Sequence, residues 1–323
     1  MDLYCIGEIV ADFLPGEEEG TYIRSFGGAP ANVAVAAARC GLGAGACCKV
    51  GDDDHGRFLE DTLKAEGVQL LCKERCRKAF TTLSFVTLKE NGERSFAFAR
   101  KPGADMFLSP EDVREDEIND STIVHAGSCS LSAPMSAQAT LKALKLGKSC
   151  GKITSFDINY RELMWDKKKC ECTKAVKEIL EYVDLLKISE EEADMLGGSA
   201  HLPEALSEYD LKAIVLTMGP AGARAYLNNA YNAHPDKEEI FFAEGKKAAA
   251  VDTTGAGDAF WGAFLSSLII QGVKKRRDIS PQVLKKALEF GNTSGALSVQ
   301  KKGAISSLPS RAQIEAFPGS SGG

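Results

Sequence analysis

The sequence lacks a long apolar run and an excess of positive charge, and both absences limit its function. No apolar stretch approaches the ~18 residues that a membrane-spanning helix needs, so we expect no membrane partner. The formal net charge is −6, whereas a nucleic-acid-binding protein usually carries a basic stripe, so we expect no nucleic-acid partner. No basic segment precedes an apolar run near the start, which predicts no secretory signal and a cytoplasmic location.

Paired metal-binding cysteines are also missing, although the chain contains ten cysteines. Their closest spacings are Cys47-Cys48, Cys72-x-x-x-Cys76 and Cys170-x-Cys172, and none forms the C-x-x-C pairs that bind zinc. We therefore expect reduced thiols that mostly pack as small core residues. The hydrophobic content of 44% and charged content of 26% are those of an ordinary globular protein.

The most informative segment is VDTTGAGDAF, which runs from Val251 to Phe260. Gly255, Ala256 and Gly257 carry little side chain, and the apolar residues that follow recur at helical spacing. Unpaired amides at the start of a helix attract phosphate, and Asp258 could accept the proton of a hydroxyl beside it. The alternative is that Asp258 is a helix cap, which contributes about 1 kcal/mol. These ten residues leave both interpretations open.

A second glycine motif runs from Gly27 to Gly41 and predicts a turn followed by an alanine-rich helix. Small alanines allow neighbouring elements to pack closely, which is a purely structural explanation for most of the segment. It does not explain Asn32 at the mouth of the helix beside Gly28, because an amide there can hydrogen-bond sugar hydroxyls.

Together these two segments resemble the signatures of the ribokinase-like (PfkB) family of carbohydrate kinases. The resemblance extends over essentially the whole chain, from Cys5 to Ala304. It implies an α/β ribokinase-like three-layer fold with a mostly parallel central sheet and a small β-sheet lid. It also implies phosphoryl transfer from ATP to a sugar.

The residue pattern itself predicts a buried opening strand over 3–10, with Asp12 at or just past its end, and a helix over 30–40. After residue 120 it predicts strands over 121–126, 153–157, 185–188 and 213–217 with helical stretches between them, an alternation that indicates a mostly parallel sheet. Ligands bind beyond the carboxyl ends of such strands, where we place Asp12, Asp157, Ser189 and Thr217. Two hairpins are also predicted, one over 11–26 and one over 81–98 around Asn91-Gly92. We expect a single kinase domain over 1–318, with lid strands at about 12–26 and 80–103, and a flexible tail over 319–323.

The resemblance also assigns roles in catalysis and sugar binding. It makes Asp258 the base, with the Gly255, Ala256 and Gly257 amides as the anion hole. Arg100 lies in a segment similar to the fructokinase lid, where it touches the sugar or closes the lid; a surface salt bridge is the alternative. Arg161 could reach sugar or phosphate. Ile158, between Asp157 and Asn159, stands where the family usually has proline. The implied sugar ligands are Asp12, Gly27, Gly28, Asn32, Arg100, Asp157, Asn159, Arg161 and Asp258.

The resemblance further assigns the nucleotide and ion sites. Glu192 matches an acid that arranges Mg²⁺ through water, although three successive glutamates are also an ordinary helix start. Ser189 stands where the family usually has asparagine. The implied nucleotide residues are Lys187, Ser189, Glu192, Thr217, Gly219, Gly222, Gly255, Gly257 and Asn292. The implied K⁺ site contains Asp252, Thr254, Ser298, Lys301, Gly303 and Ser307.

The sequence thus predicts an ATP-dependent fructokinase that uses Mg²⁺, is activated by K⁺ and forms fructose 6-phosphate. A 2-keto-3-deoxygluconate kinase or a ribokinase is the alternative within the class. A non-catalytic sugar-binding regulatory relative is the alternative outside it, against which the intact Asp258 argues, because a pure binder needs no base. We also expect a homodimer through the lid, because exposed sheet edges invite pairing.

Overall fold

The computed structural model describes residues 1–18, 20–88, 94–228 and 239–318. Strands and helices alternate along most of this length. The strands are β1 (Leu3–Ile6), β2 (Val10–Pro15), β3 (Tyr22–Gly27), β4 (Ala44–Cys47), β5 (Gln69–Leu70), β6 (Leu83–Leu88), β7 (Arg94–Ala99), β8 (Ile123–Gly127), β9 (Ile153–Asp157), β10 (Leu185–Ser189), β11 (Ala213–Thr217), β12 (Gly222–Leu227) and β13 (Glu239–Glu244). The α-helices are α1 (Ala29–Arg39), α2 (Asp54–Ala65), α3 (Glu115–Asn119), α4 (Pro134–Ser149), α5 (Lys169–Ile179), α6 (Leu202–Glu208), α7 (Ala256–Ile270), α8 (Pro281–Ser298), α9 (Ala304–Ser307) and α10 (Arg311–Glu315).

The large sheet has the strand order β13-β12-β11-β10-β9-β8-β1-β4-β5. The strands from β11 to β5 are parallel to one another, and β12 and β13 add an antiparallel hairpin at one edge. This confirms the predicted mostly parallel central sheet.

The central sheet is covered on both faces, which the alternation along β1 illustrates. Leu3 and Cys5 belong to one apolar cluster, with residues of α1, α7 and α8. Tyr4 and Ile6 belong to a second cluster, with residues of α4 and α5. Successive strand residues point to opposite faces, so each face buries its own core and three layers result.

The small sheet has the order β3-β2-β6-β7. Strand β2 pairs antiparallel with β3 and parallel with β6, and β6 pairs antiparallel with β7. Both predicted strand pairs are confirmed, while the Asn91-Gly92 turn and the tail over 319–323 lie outside the described residues.

The placement of Asp12 corrects the sequence prediction. We expected one opening strand from Leu3 to Val10 with Asp12 at its carboxyl end. The chain instead leaves the large sheet after Ile6, and Asp12 lies within β2 of the small sheet, opposite Ser25 and Ser84. The apolar run continues through this change of sheet, so hydrophobicity alone does not mark it.

The cysteines pack as expected. All ten are free thiols, and eight of them are buried; Cys150 is half-buried and Cys170 is exposed. In the described part of the chain, the helices are too short or too polar to span a bilayer.

Candidate active site

The site forms where two helices begin side by side. Helix α1 starts after Gly28, whose φ of 111° is in the region that favours glycine, and α7 starts after Gly255 at φ 77°. The two helices pack closely enough that a Cβ on Gly262 of α7 would lie 2.5 Å from the Ala36 Cβ of α1. This close packing brings their first turns together, with Asn32 on α1 and Asp258 on α7.

Asp258 is held between two amide side chains. Asn32 Nδ2 donates to Asp258 Oδ2 at 2.8 Å, and Asn159 Nδ2 donates to Asp258 Oδ1 at 3.3 Å. The carboxyl group is buried, and burial raises its pKa above the ordinary range of aspartate, against the opposing effects of Asn32, Arg161 and Lys187. Asn32 Oδ1 is buried without a hydrogen-bond partner, so it is free to accept from a ligand hydroxyl.

A buried ion pair lies next to this carboxylate. Lys187 Nζ contacts both oxygens of Asp157, at 2.9 and 2.8 Å. Burial raises the pKa of Asp157 to about 6, with the charges of Glu192 and Asp258 adding to it and Lys187 opposing it. Lys187 Nζ would lie 3.3 Å from a Cβ placed on Gly257, so the ammonium faces the first turn of α7. Positive charge therefore meets the helix amides at one point.

Glu192 ties the next two loops together. Its Oε1 accepts from the Tyr160 amide at 2.7 Å and its Oε2 from the Ser189 amide at 2.9 Å. Asn159 precedes this contact at φ 37°, a backbone conformation that asparagine tolerates better than most residues. Among the described residues no cluster of three acid, histidine or cysteine side chains could hold a metal ion. The Glu192 carboxylate is the type of oxygen donor with which Mg²⁺ is held through water beside substrate phosphates.

The small sheet contributes Asp12, which faces the same charges. A Cβ on Gly27 would collide with the Asp12 carboxylate, so the two residues are in contact. Burial, together with the charge of Asp258, raises the pKa of Asp12 to about 6 against the opposing effects of Ser84 and Arg161. Arg161 is exposed at the edge of this group.

Arg100 is placed differently from a sugar ligand, since its guanidinium is surrounded by protein. Its Nε donates to Asp105 Oδ2 at 2.8 Å and its Nη1 to Ser132 Oγ at 2.9 Å. Further contacts run to the Met164 and Cys129 carbonyls. Of the two predicted roles, this geometry favours lid attachment, and the exposed salt bridge is excluded by the 8% exposure of Arg100.

Four of the predicted nucleotide residues, Thr217, Gly219, Gly222 and Asn292, form a second group near the end of β11. Thr217 ends that strand opposite Ser189, and Gly219 and Gly222 flank the turn into β12. Asn292 on α8 donates to the Ala243 carbonyl at 2.8 Å and to the Glu244 carbonyl at 3.1 Å. Asn292 therefore fixes the end of β13, which pairs with the start of β12 at Gly222.

Two of the predicted cation residues, Thr254 and Gly303, are bound to the carboxylate of a third, Asp252. Its Oδ1 accepts from the Thr254 amide at 2.8 Å, and its Oδ2 accepts from the Gly303 amide at 2.9 Å. The hydroxyl groups of Ser298 and Ser307 donate to the carbonyls of Gly295 and Ala304, and the Lys301 amide donates to the Ser298 carbonyl. The oxygen atoms of these residues include a single carboxylate, a charge that fits a monovalent cation. The Asp252 carboxylate also anchors the loop that precedes Gly255 to Gly303.

Sequence reasoning missed a buried polar group behind the site. Ser155 Oγ lies 3.0 Å from both His125 Nδ1 and Trp261 Nε1. Burial lowers the pKa of His125 to about 3, so the ring is neutral. The group joins β8, β9 and α7 and fixes the helix of Asp258 against the strand of Asp157. Only the tertiary structure brings these distant residues together, and no local pattern indicates it.

The family model for pfkB family carbohydrate kinases matches residues 2–311. The chain belongs to this family. It is therefore a carbohydrate kinase, with the mixed α/β fold expected for it. Among curated relatives, Fructokinase-1 of Oryza sativa subsp. japonica is 36% identical over 318 residues, covering 95% of this chain and 94% of the rice protein. Fructokinase-1 of Zea mays is 35% identical over 323 residues, covering 95% and 94%.

Solved structures agree with this assignment. A fructokinase with bound ATP from Xylella fastidiosa superposes with a TM-score of 0.86 at 28% identity, covering 97% of this chain and 96% of that one. The fructokinase of Vibrio cholerae O395 in its fructose, ADP and calcium ion bound form gives 0.84 at 31% identity, covering 98% of each chain.

Proposed function

We propose that this kinase is an ATP-dependent fructokinase, which transfers the γ-phosphate of ATP to the 6-hydroxyl of D-fructose. The observation that carries the proposal is the Asp258 carboxylate, buried at the start of α7 between Asn32 and Asn159. A sugar-binding protein without catalytic activity has no use for an ionisable base placed among anion-binding amides.

Asp258 is suited to accept the proton of the acceptor hydroxyl. Each carboxylate oxygen receives one amide hydrogen bond, and these two bonds orient the group while leaving lone pairs for a third donor. Asn32 Oδ1 is buried and unpartnered beside it, so a second sugar hydroxyl can donate there. Asp12 and Asp157 supply further acceptors around the same space. Together they orient a polyhydroxylated substrate with one hydroxyl at the base.

The developing negative charge would be stabilised by Lys187 and the amides of residues 255–257. The ammonium faces the first turn of α7, where the Ala256 amide already donates to the Thr253 carbonyl at 3.2 Å. Of the three amides, those of Gly255 and Gly257 therefore remain for a phosphoryl oxygen. Fixed positive dipoles in a buried position lower the energy of a transferring phosphoryl group without reorganisation. Mg²⁺, when bound, neutralises phosphate charge, and Glu192 would hold it through water while Asp252 and its neighbours hold K⁺.

The preference for fructose rests on the lid attachment and on the relatives. Arg100 connects the segment after β7 of the small sheet to Ser132 and the Cys129 carbonyl, which follow β8 of the large sheet, and Asp105 holds its guanidinium in place. The segment is similar to that of fructokinases. The relatives named above are fructokinases, and the Vibrio enzyme was crystallised with fructose and ADP. We extend this substrate and nucleotide to the present chain.

The remaining assignments are part of the same proposal. Residues 1–318 act as one kinase unit in the cytoplasm, and two copies pair through the small sheet. Strand β3 is an edge of that sheet, and its Tyr22 and Ile23 are exposed. Ile23→Lys should dissociate such a dimer, which the molar mass from light scattering would measure.

The test is ATP turnover by the purified protein with Mg²⁺ and K⁺, using fructose, ribose, 2-keto-3-deoxygluconate and adenosine as acceptors. We expect selective turnover of fructose and a fall in kcat of roughly 100-fold or more in Asp258→Asn. Faster turnover of another acceptor would refute the choice of sugar. Fructose binding without turnover of any acceptor would instead indicate a regulatory relative.

A further inference from the structure

Glu8 is a buried acid that the proposed mechanism does not use. It follows β1 at the point where the chain leaves the large sheet, and it is only 4% exposed. Its Oε1 accepts from the Ala29 amide at 3.1 Å, whereas its Oε2 is buried without a hydrogen-bond partner. A buried carboxyl group with one free oxygen is costly to maintain, so its position calls for a functional explanation.

The hydrogen bond of Glu8 and its closest main-chain contact both lead to the acceptor side of the site. Its backbone carbonyl lies against Gly28, where an added Cβ would approach to 2.5 Å. The same residue thus borders the turn over 27–29 through both its main chain and its side chain. Asp12 contacts this turn at Gly27, and Asn32 lies in the first helical turn of α1, directly after it. A shift of the turn would move two sugar-facing groups and leave the nucleotide loop in place.

Charged and titratable groups surround Glu8 from several elements. Arg100 and Asp105, which follow β7, face it with opposite charges. Cys48, which follows β4, and Cys129, which follows β8, face it with thiols. Glu8 therefore lies between the turn over 27–29 and the ion pair that attaches the small sheet. A change in its charge alters contacts on both sides.

We propose that Glu8 is a positioning residue for the acceptor, which holds the turn over 27–29 in place and couples it to the Arg100–Asp105 pair. The proposal rests on the proposed function. Burial, with the charge of Asp105, raises the pKa of Glu8 to about 7, against Ala29 and Arg100. Below that pH the neutral acid is a weaker acceptor for the Ala29 amide and loses its attraction to Arg100. The KM for the acceptor should therefore rise on acidification through neutrality.

Two variants separate positioning from structural support. Glu8→Gln keeps an oxygen for the Ala29 amide and removes the titration. Glu8→Leu leaves that amide without its partner. We expect Glu8→Leu to raise the KM for fructose about tenfold while the KM for ATP and kcat change less than about twofold. Glu8→Gln should stay within about threefold of wild type and lose the rise in KM that wild type shows near neutral pH.

Glu117→Gln is the matched control, since Glu117 on α3 also has a buried carboxylate oxygen without a partner and a raised pKa. It should keep the wild-type pH profile. Steady-state kinetics with each substrate varied, at a series of pH values spanning neutrality, measures all four proteins. Thermal unfolding reports whether Glu8→Leu is folded; if it is not, Glu8→Gln carries the test alone.

Normal sugar turnover by wild type, together with an unchanged pH profile in Glu8→Gln, would overturn the role of Glu8 and leave the proposed function intact. A parallel rise of both KM values in Glu8→Leu would likewise overturn it in favour of a general structural role. Absence of sugar turnover by wild type would overturn the proposed function first, and the role of Glu8 with it.

Discussion

Gly257→Ala should make the protein slightly more stable and much less active. Gly257 lies in the first turn of α7 with an ordinary helical backbone, so alanine fits its conformation. The added methyl would meet only Lys187, at 3.3 Å from Nζ and 3.8 Å from Cε. The end of a flexible side chain can yield by a few tenths of an ångström. The fold therefore tolerates the change, whereas the space between ammonium and helix amides is lost.

The two effects have opposite signs and different sizes. Replacing glycine by alanine within a helix stabilises by about 0.5–1 kcal/mol, which corresponds to roughly 1–2 °C in Tm for a chain of this size. Blocking one donor position of a buried anion hole costs about 100-fold in kcat. At about 1.4 kcal/mol for each factor of ten, that is about 3 kcal/mol of lost transition-state stabilisation.

Gly295→Ala is the matched control. Gly295 lies within α8, and an added Cβ would make only ordinary contacts, at 3.7 Å from the Ala256 carbonyl oxygen and 3.8 Å from the Phe260 Cβ. It should gain similar stability and keep its kcat. Calorimetry and saturating-substrate turnover measure both variants. Activity of Gly257→Ala within about threefold of wild type would refute the placement of the phosphoryl group at this turn.

Three further predictions concern the rest of the site. Asp258 must be ionised to act as a base, and burial raises its pKa. As the pH is lowered, kcat/KM for fructose should therefore begin to fall at pH values above the ordinary pKa range of aspartate. A pH–rate profile without this acid limb would contradict the assignment. Arg100→Leu leaves the buried Asp105 with the Thr82 hydroxyl but without its ionic partner, and should lower the free energy of unfolding by about 3–5 kcal/mol in urea titrations. A loss below about 1 kcal/mol would mean that Arg100 contributes little to attaching the lid. Asp252→Ala removes the acceptor of the Thr254 and Gly303 amides. It should abolish the difference in turnover between K⁺ and Na⁺ buffers. If the difference is preserved, the cation binds elsewhere.

Much of the fold could be predicted because apolar strands and helical repeats are local patterns. The predicted strands Ile153–Asp157 and Ala213–Thr217 agree with the structure at both ends. The opening strand was predicted to continue to Val10 with Asp12 at its end, whereas it ends at Ile6, because only Gly7 and Glu8 interrupt the apolar stretch where the chain turns into β2. The helix that begins near Pro30 was predicted to within one residue at each end, since glycine and proline mark its start.

The site was predicted unevenly, for a related reason. Asn32, Asp157, Asn159, Lys187 and Asp258 do lie together in the structure. Arg100 shows the limit of such predictions, because a sequence cannot distinguish an arginine that binds a ligand from one whose guanidinium is already bound by four protein partners. Glu8 was missed altogether, since a buried carboxyl group beside a glycine has no distinctive local pattern.

The sequence by itself determined the family, the parallel sheet and the types of residue available for phosphoryl transfer. These follow from short motifs and from hydrophobic periodicity, which neighbouring residues encode. The tertiary structure alone decided which groups meet: Asn32 and Asp258 are 226 residues apart, and Asn159 and Asp258 are 99 apart. It also decided which charges are buried and which buried oxygens have no partner. Burial and long-range contact depend on how the whole chain packs, and these set the pKa values and the free acceptors with which the site works.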